Sequence, residues 1–322
     1  LDCRGRYADI RALRRSGTSL EYLGLAMSAH WPDDPTRQLR TLTLPKFGLN
    51  AGVMCARRRR QAEREGRSYS LGISGLLCAS HAGDLQFMHA MASAPLALES
   101  AEQSREKMLD WAVFAFEVAT ARLDANSPYC ATLRSRADTI STPLAPADFP
   151  FCDERPRHGG GAWPGWTIGT LFSFECSRPF DSSTCSDRHV GSDGTIARRN
   201  AAGAILHLIQ DSYSQSHTVR GPLYGGGTER RPMAIVDCTL PSRFYYYNEQ
   251  RSSRHKRADQ IPTAADSCVV DPDDGANDAI TASALAMRHI RDRSDPGTFR
   301  CFLEDRVLGR TSRSRCPDRS AG

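Results

Sequence analysis

No stretch of this sequence approaches the roughly 20 consecutive apolar residues needed to cross a bilayer, so a membrane-spanning helix is excluded as an organising element. There is no CxxC pair, which removes the usual zinc-finger spacings. There is no GxSxG in a strand–turn–helix setting and no GxxxxGK[ST], which argues against a serine hydrolase built on a nucleophile elbow and against a phosphate-loop enzyme. Repeats of useful length are missing, and convincing alternating strands are scarce. Charge of one sign is not in large excess either: the net charge is +5, with arginine supplying most of the positive side. That imbalance suits a phosphate-bearing partner without specifying one.

What remains is an ordinary globular composition, with 40% hydrophobic and 25% charged residues over 322 positions. A chain of this length can bury a sizeable core. Eleven cysteines run from Cys3 to Cys316. Cys130, Cys152, Cys176 and Cys185 fall in a stretch rich in Pro, Gly, Ser and Asp. Scattered cysteines in such a setting point to disulfides and an oxidising compartment, so a secreted or periplasmic location is expected. The odd count leaves at least one thiol unpaired or paired with something absent. The opening, LDCRGRYADIRALRRSG, has no apolar leader region, so a signal peptide is not part of this sequence.

Helical spacing is the dominant pattern. It predicts helices over 18–30, 70–92 (one or two, interrupted near Gly83), 99–124, 195–217 with Thr195 as the cap, and about 276–292. The expected class is all-α, a single helical domain over 1–310, with a disulfide-braced loop insertion at about 125–194. A flexible tail follows at 311–322, anchored through Cys316. The run Arg57–Arg60 reads as a solvated face or loop, with a phosphate-binding patch as the lesser reading. His158, His189 and His289 read as surface or loop residues. Trp163 and Trp166 read as packing residues, with a place at a substrate entrance as the other option.

The motif carrying most chemistry is His207-Leu-Ile-Gln-Asp211-Ser-Tyr-Ser-Gln-Ser-His217. His207 and Asp211 stand four apart on a helix and therefore share a face. Ile205, Leu206, Leu208 and Ile209 put that helix in the interior. A buried imidazole and carboxylate need a partner, and either a metal or their own hydrogen bond supplies it. His255 and Asp259 repeat the spacing, although Arg254, Lys256 and Arg257 beside them also fit a solvated helix. With His217 they make three imidazoles and two carboxylates, the mixed nitrogen and oxygen set that zinc accepts. Upstream, GDLQFMHAM places His89 in an apolar helix near His81 and Asp84. HWPDDP places Asp33 and Asp34 at a helix end. Taken singly, His89 reads more often as a satisfied core histidine and the Asp pair as a helix-capping turn.

Together, H-x3-D-x5-H, a downstream H-x3-D and a WPD segment near the start resemble the zinc-dependent phospholipase C / single-strand-specific nuclease superfamily. The resemblance covers about 30 to 260. It implies a mostly helical fold with zinc ions in a cleft. Asp33, His89, His207 and Asp211 would hold one ion, with Asp211 bridging to a second. His217, His255 and Asp259 would hold another, and Asp34, His81 and Asp84 are substitutes for an assigned ligand. Family members complete the bridged site with an N-terminal Trp and an early His. This chain has Leu1 and no His before His30, so the expectation is two or three zinc ions.

The resemblance further implies phosphodiester hydrolysis by metal-activated water, with Asp211 and Asp33 as the catalytic carboxylates. The substrate is a phospholipid head group, or alternatively a single-stranded nucleic acid. Tyr245, Tyr246 and Tyr247 would dip into a lipid interface, stack on bases, or pack on neighbouring helices. Peripheral membrane contact and a monomer are expected. A non-catalytic exported binding protein that keeps the fold is the reading from another class.

Overall fold

The computed structural model describes residues 25, 28–29, 31–33, 55, 64, 76–83, 85–136, 167–176, 185–187, 194–214, 216–220, 240–246, 249 and 279–317. It is helix-rich. In chain order it contains α1 (Leu76–Ala82), a 3-10 turn (Gln86–His89), α2 (Ala101–Ala119), α3 (Tyr129–Ser135), α4 (Ile168–Ser173), β1 (Phe174–Cys176) and β2 (Cys185–Asp187). It continues with α5 (Thr195–Ser212), β3 (Thr218–Arg220), β4 (Pro241–Phe244), α6 (Ala279–Arg291) and α7 (Pro296–Leu303), the last running into a π turn (Glu304–Leu308). The strands form two antiparallel pairs, β1 with β2 and β3 with β4. No helix among the described residues is long and apolar enough to cross a membrane.

The centre of the molecule is α2 packed along α5, with α4 and α6 laid against other sides of α5. The sequence of α2 explains its place. Ser100 and Gln103 form a reciprocal capping box at its start, which satisfies two otherwise orphaned donors. Met108, Leu109, Trp111, Ala112, Phe114, Ala115, Phe116 and Val118 are buried, so the second half of the helix is largely apolar, as suits a central position. In the N-terminal part of α5 the buried residues are mostly small: Ala197, Ala201, Ala202, Gly203 and Ala204. Small side chains let neighbouring backbone come close, and Gly203 shows how close. A Cβ there would lie 2.1 Å from the carbonyl carbon and oxygen of Ser28.

Several expectations are met and several are corrected. The break near Gly83 separates α1 from the 3-10 turn, and the helices expected over 99–124 and 276–292 appear as α2 and α6. The cap of α5 is not Thr195 but Gly194, whose φ of 62° lies in the left-handed region that favours glycine. Part of the stretch at 125–194 is described. It contributes α3 and α4, with Tyr129, Leu133, Ile168, Leu171 and Phe172 in the main core, and Cys130 within it is disulfide-bonded. His289 sits on α6 rather than in a loop, its ring against Phe299 and Phe302.

The tail is fastened as far as Pro317. Thr311 donates to Glu106, Ser312 N–H donates to Glu102 at 2.7 Å, and Cys316 is bonded to Cys301. A second disulfide joins Cys55 to Cys78 at the start of α1. Cys301→Ser is expected to lower unfolding stability by about 2–4 kcal/mol, the range for closing a loop of this size. Denaturant titration of the variant and of the parent chain measures the difference.

Candidate metal centre

Five of the seven expected ligands meet in one buried place. They arrive from four segments: Asp33 from the turn after Trp31, His89 from the 3-10 turn, His207 and Asp211 from α5, and His217 from the turn before β3. All five side chains are buried, with Asp33 and His207 each 1% exposed and Asp211, the most open, 6%. Asp211 Oδ2 lies 2.9 Å from His207 Nε2 and 3.1 Å from His89 Nδ1. Those two ring nitrogens are themselves 2.9 Å apart. Asp33 Oδ1 is 3.6 Å from His207 Nε2, and His217 Nδ1 is 3.6 Å from Asp211 Oδ2.

The outer nitrogen of each ring decides what the inner one can do. His207 Nδ1 faces the carbonyl of Ala29 at 3.0 Å, and His89 Nε2 faces the carbonyl of Pro32 at 3.1 Å. His217 Nδ1 faces the carbonyl of His89 at 2.6 Å. A carbonyl only accepts, so each of these nitrogens carries the hydrogen and donates it. In the neutral rings, His207 Nε2 and His89 Nδ1 then present lone pairs to each other and to the Asp211 carboxylate. Three electron-rich atoms at 2.9–3.1 Å repel unless a cation sits among them. A proton or a metal ion meets that need. An imidazole whose second nitrogen donates to a backbone carbonyl is the arrangement that orients metal-bound histidines.

The donor set could hold a metal ion. Ligand atoms of Asp33, His89 and His207 all lie within 4.8 Å of one another. Zinc–ligand bonds of about 2.0–2.2 Å in a tetrahedron put neighbouring donors roughly 3.3 Å apart. Burial alone would raise the Asp211 pKa, but the charges of His207 and His217 and the hydrogen bonds with His207 and His89 hold it well below the usual carboxylate range. The carboxylate therefore stays charged in the interior, where an uncompensated charge would be costly.

The surroundings hold the ligands in place. Trp31, two residues before Asp33, stacks on Trp111 with ring centres 6.4 Å apart and packs against Phe172 at 5.1 Å. Phe87, two residues before His89, meets the Trp111 edge at 6.3 Å. Tyr245 N–H donates to the His217 carbonyl at 2.7 Å, and its own carbonyl accepts from Ala92 N–H at 3.0 Å. Tyr246 is 2% exposed and so packs inside, while Tyr245 is half-buried under Arg243. His81 lies beside the cluster, its ring centre 4.5 Å from that of His89.

His255 and Asp259 lie outside the described residues, as do Asp34, Asp84, Tyr247, Arg57–Arg60, His158, His189, Trp163 and Trp166. The parts that sequence reasoning missed are backbone groups, the carbonyls of Ala29, Pro32 and His89. No side-chain pattern announces them; Gly203, in the run AAGA, was the one available signal that another backbone comes near. Compared with protein-family models, curated proteins and solved structures, the chain matches none.

Proposed function

We propose that this chain is an exported zinc-dependent phosphodiester hydrolase, phospholipase C-like in acting on phospholipid head groups. The observation that carries the reading is the inward convergence of His89, His207 and Asp211, with the outer ring nitrogens of both histidines already committed to backbone carbonyls. The disulfides Cys55–Cys78 and Cys301–Cys316, with the bonded Cys130, support export.

In this reading Asp33, His89, His207 and Asp211 would hold one zinc ion, and Asp211 would also serve a second. His217 would serve a further ion together with His255 and Asp259. When bound, zinc acts as a Lewis acid, bringing the pKa of a coordinated water to near 7 and offsetting charge that develops on a phosphoryl group. The chain's own residues do the rest. The Ala29 and Pro32 carbonyls fix which nitrogen of His207 and of His89 faces inward, and the His89 carbonyl holds the hydrogen on His217 Nδ1. Asp211 keeps its negative charge at neutral pH, and Asp33 is the second carboxylate able to accept a proton from the attacking water. The aromatic stack around Trp31 and Trp111 keeps bulk water from that side, which strengthens each electrostatic contact.

Metal analysis of the purified chain, followed by assays on phosphatidylcholine and on single-stranded DNA with and without chelator, tests the proposal. Two or three zinc ions per chain and chelator-sensitive release of the phosphorylated head group are expected. Chelator-sensitive cleavage of DNA alone would move the activity to the nuclease branch. One ion or none, with neither substrate cut, would leave a binding protein and end the enzymatic reading.

A further inference from the structure

The arginine three residues beyond His217 makes a set of contacts that the proposed chemistry does not use. Arg220 Nε donates to the Ser212 carbonyl at 2.9 Å. One of its terminal nitrogens donates to the Ser212 hydroxyl at 3.1 Å and to the Val307 carbonyl at 2.8 Å. The guanidinium carbon also lies over the Tyr213 ring, 3.7 Å from its centre. Burial pushes its pKa down to about 10, which leaves it charged at neutral pH.

Ser212 directly follows Asp211 and is the last residue of α5. Its carbonyl is one of those a helix leaves without an intrahelical partner, and a cation there opposes the negative end of the helix dipole. Thr218 Oγ1 donates to the same carbonyl at 2.8 Å, and the His217 and Thr218 N–H groups both donate to the Ser214 carbonyl at 3.0 Å. The segment leaving Asp211 is thereby folded back on itself so that His217 returns to within 3.6 Å of the Asp211 carboxylate. Arg220 closes this turn from its far end and ties it to the π turn through Val307.

We propose that Arg220 is a positioning residue for the candidate metal centre: by clamping the Ser212 carbonyl and hydroxyl it fixes the His217 ring relative to Asp211. The planar fork matters, because three acceptors in fixed directions are met by one guanidinium and not by a single ammonium group. The inference rests on the zinc-hydrolase reading for its consequence, but the positioning itself does not require metal.

The test uses the full chain as Arg220→Lys and Arg220→Met, with circular dichroism and thermal melts to confirm folding. Nitrogen-15 spectra of the histidine rings in chelator-treated protein report which nitrogen of each ring carries hydrogen. Changed His217 ring signals are expected in both variants, with those of His289, on α6, unaltered. Zinc affinity is expected to fall about 10- to 100-fold, the usual cost of removing a group that orients a ligand. If Arg220→Met does not fold, Arg220→Lys supplies the same readout. His217 ring signals that match the parent chain would overturn the proposal, whatever the zinc affinity does. A parent chain that takes up no zinc would sink the hydrolase reading, while the ring spectra would still decide the positioning role.

Discussion

Asp211→Ala is expected to abolish turnover, with a loss of at least about 10³-fold in kcat, the upper range for deleting one group that stabilises charge in a reaction centre. The argument begins with position. Asp211 Oδ2 is the atom shared by His207 and His89, at 2.9 and 3.1 Å. Alanine would leave the two ring nitrogens, 2.9 Å apart, without the carboxylate that completes the set of ligands around a cation. Bound zinc should fall in parallel, by at least one ion per chain if the carboxylate bridges two. A thermal melt of the variant checks that it remains folded, since removing one partner of a buried charged set costs stability. Zinc content by atomic absorption and activity on phosphatidylcholine, measured on the same preparation, check the outcome. Near-normal activity with a full metal complement would remove Asp211 from the centre.

The second large effect is at a residue with no side chain. Gly203→Ala is expected to cost about 3 kcal/mol or more in stability, at or beyond the top of the usual range for overpacking. The methyl group would meet the Ser28 carbonyl carbon and oxygen at 2.1 Å. A flexible side chain could swing away, but backbone cannot do so cheaply. If the segment carrying Ser28 and Ala29 moved off α5 to relieve the contact, the Ala29 carbonyl would leave His207 Nδ1, and Asp33 would be drawn away with it. The variant should therefore lose zinc affinity as well as stability. A Gly203→Ala protein that melts with the parent chain and binds zinc equally would show that this close approach is absent in solution.

Much of the candidate site was legible in the sequence because it is written in side chains at helical spacing. His207 and Asp211 share a helix face by arithmetic alone, and their apolar neighbours placed that face inside. His89 and Asp33 were harder. Each reads as an ordinary core histidine or a capping residue until the fold brings it against α5, so the resemblance of the whole set carried them. The helical class followed from α2 and α5, whose length gives the period room to show. α3 and α4 were hidden for the opposite reason: seven and six residues do not complete two turns, and the surrounding Pro and Gly mask them further. The Gly194 cap was missed because a glycine before a threonine gives no reason to prefer the first over the second. The fastening of the tail to Glu102 and Glu106 depends on contacts more than two hundred positions apart. Local pattern cannot register these.

The backbone around His217 forms a closed circuit. His89 leads along the chain to Ala92, Ala92 donates to Tyr245, Tyr245 donates to the His217 carbonyl, and the His217 ring donates back to the His89 carbonyl. Opening one link frees the rest, so the amide protons of Ala92 and Tyr245 should exchange with solvent at a common rate, set by a single opening event. His89 and His217, 128 positions apart in the chain, are in this way hinged on the residue that follows β4, and they would come apart together.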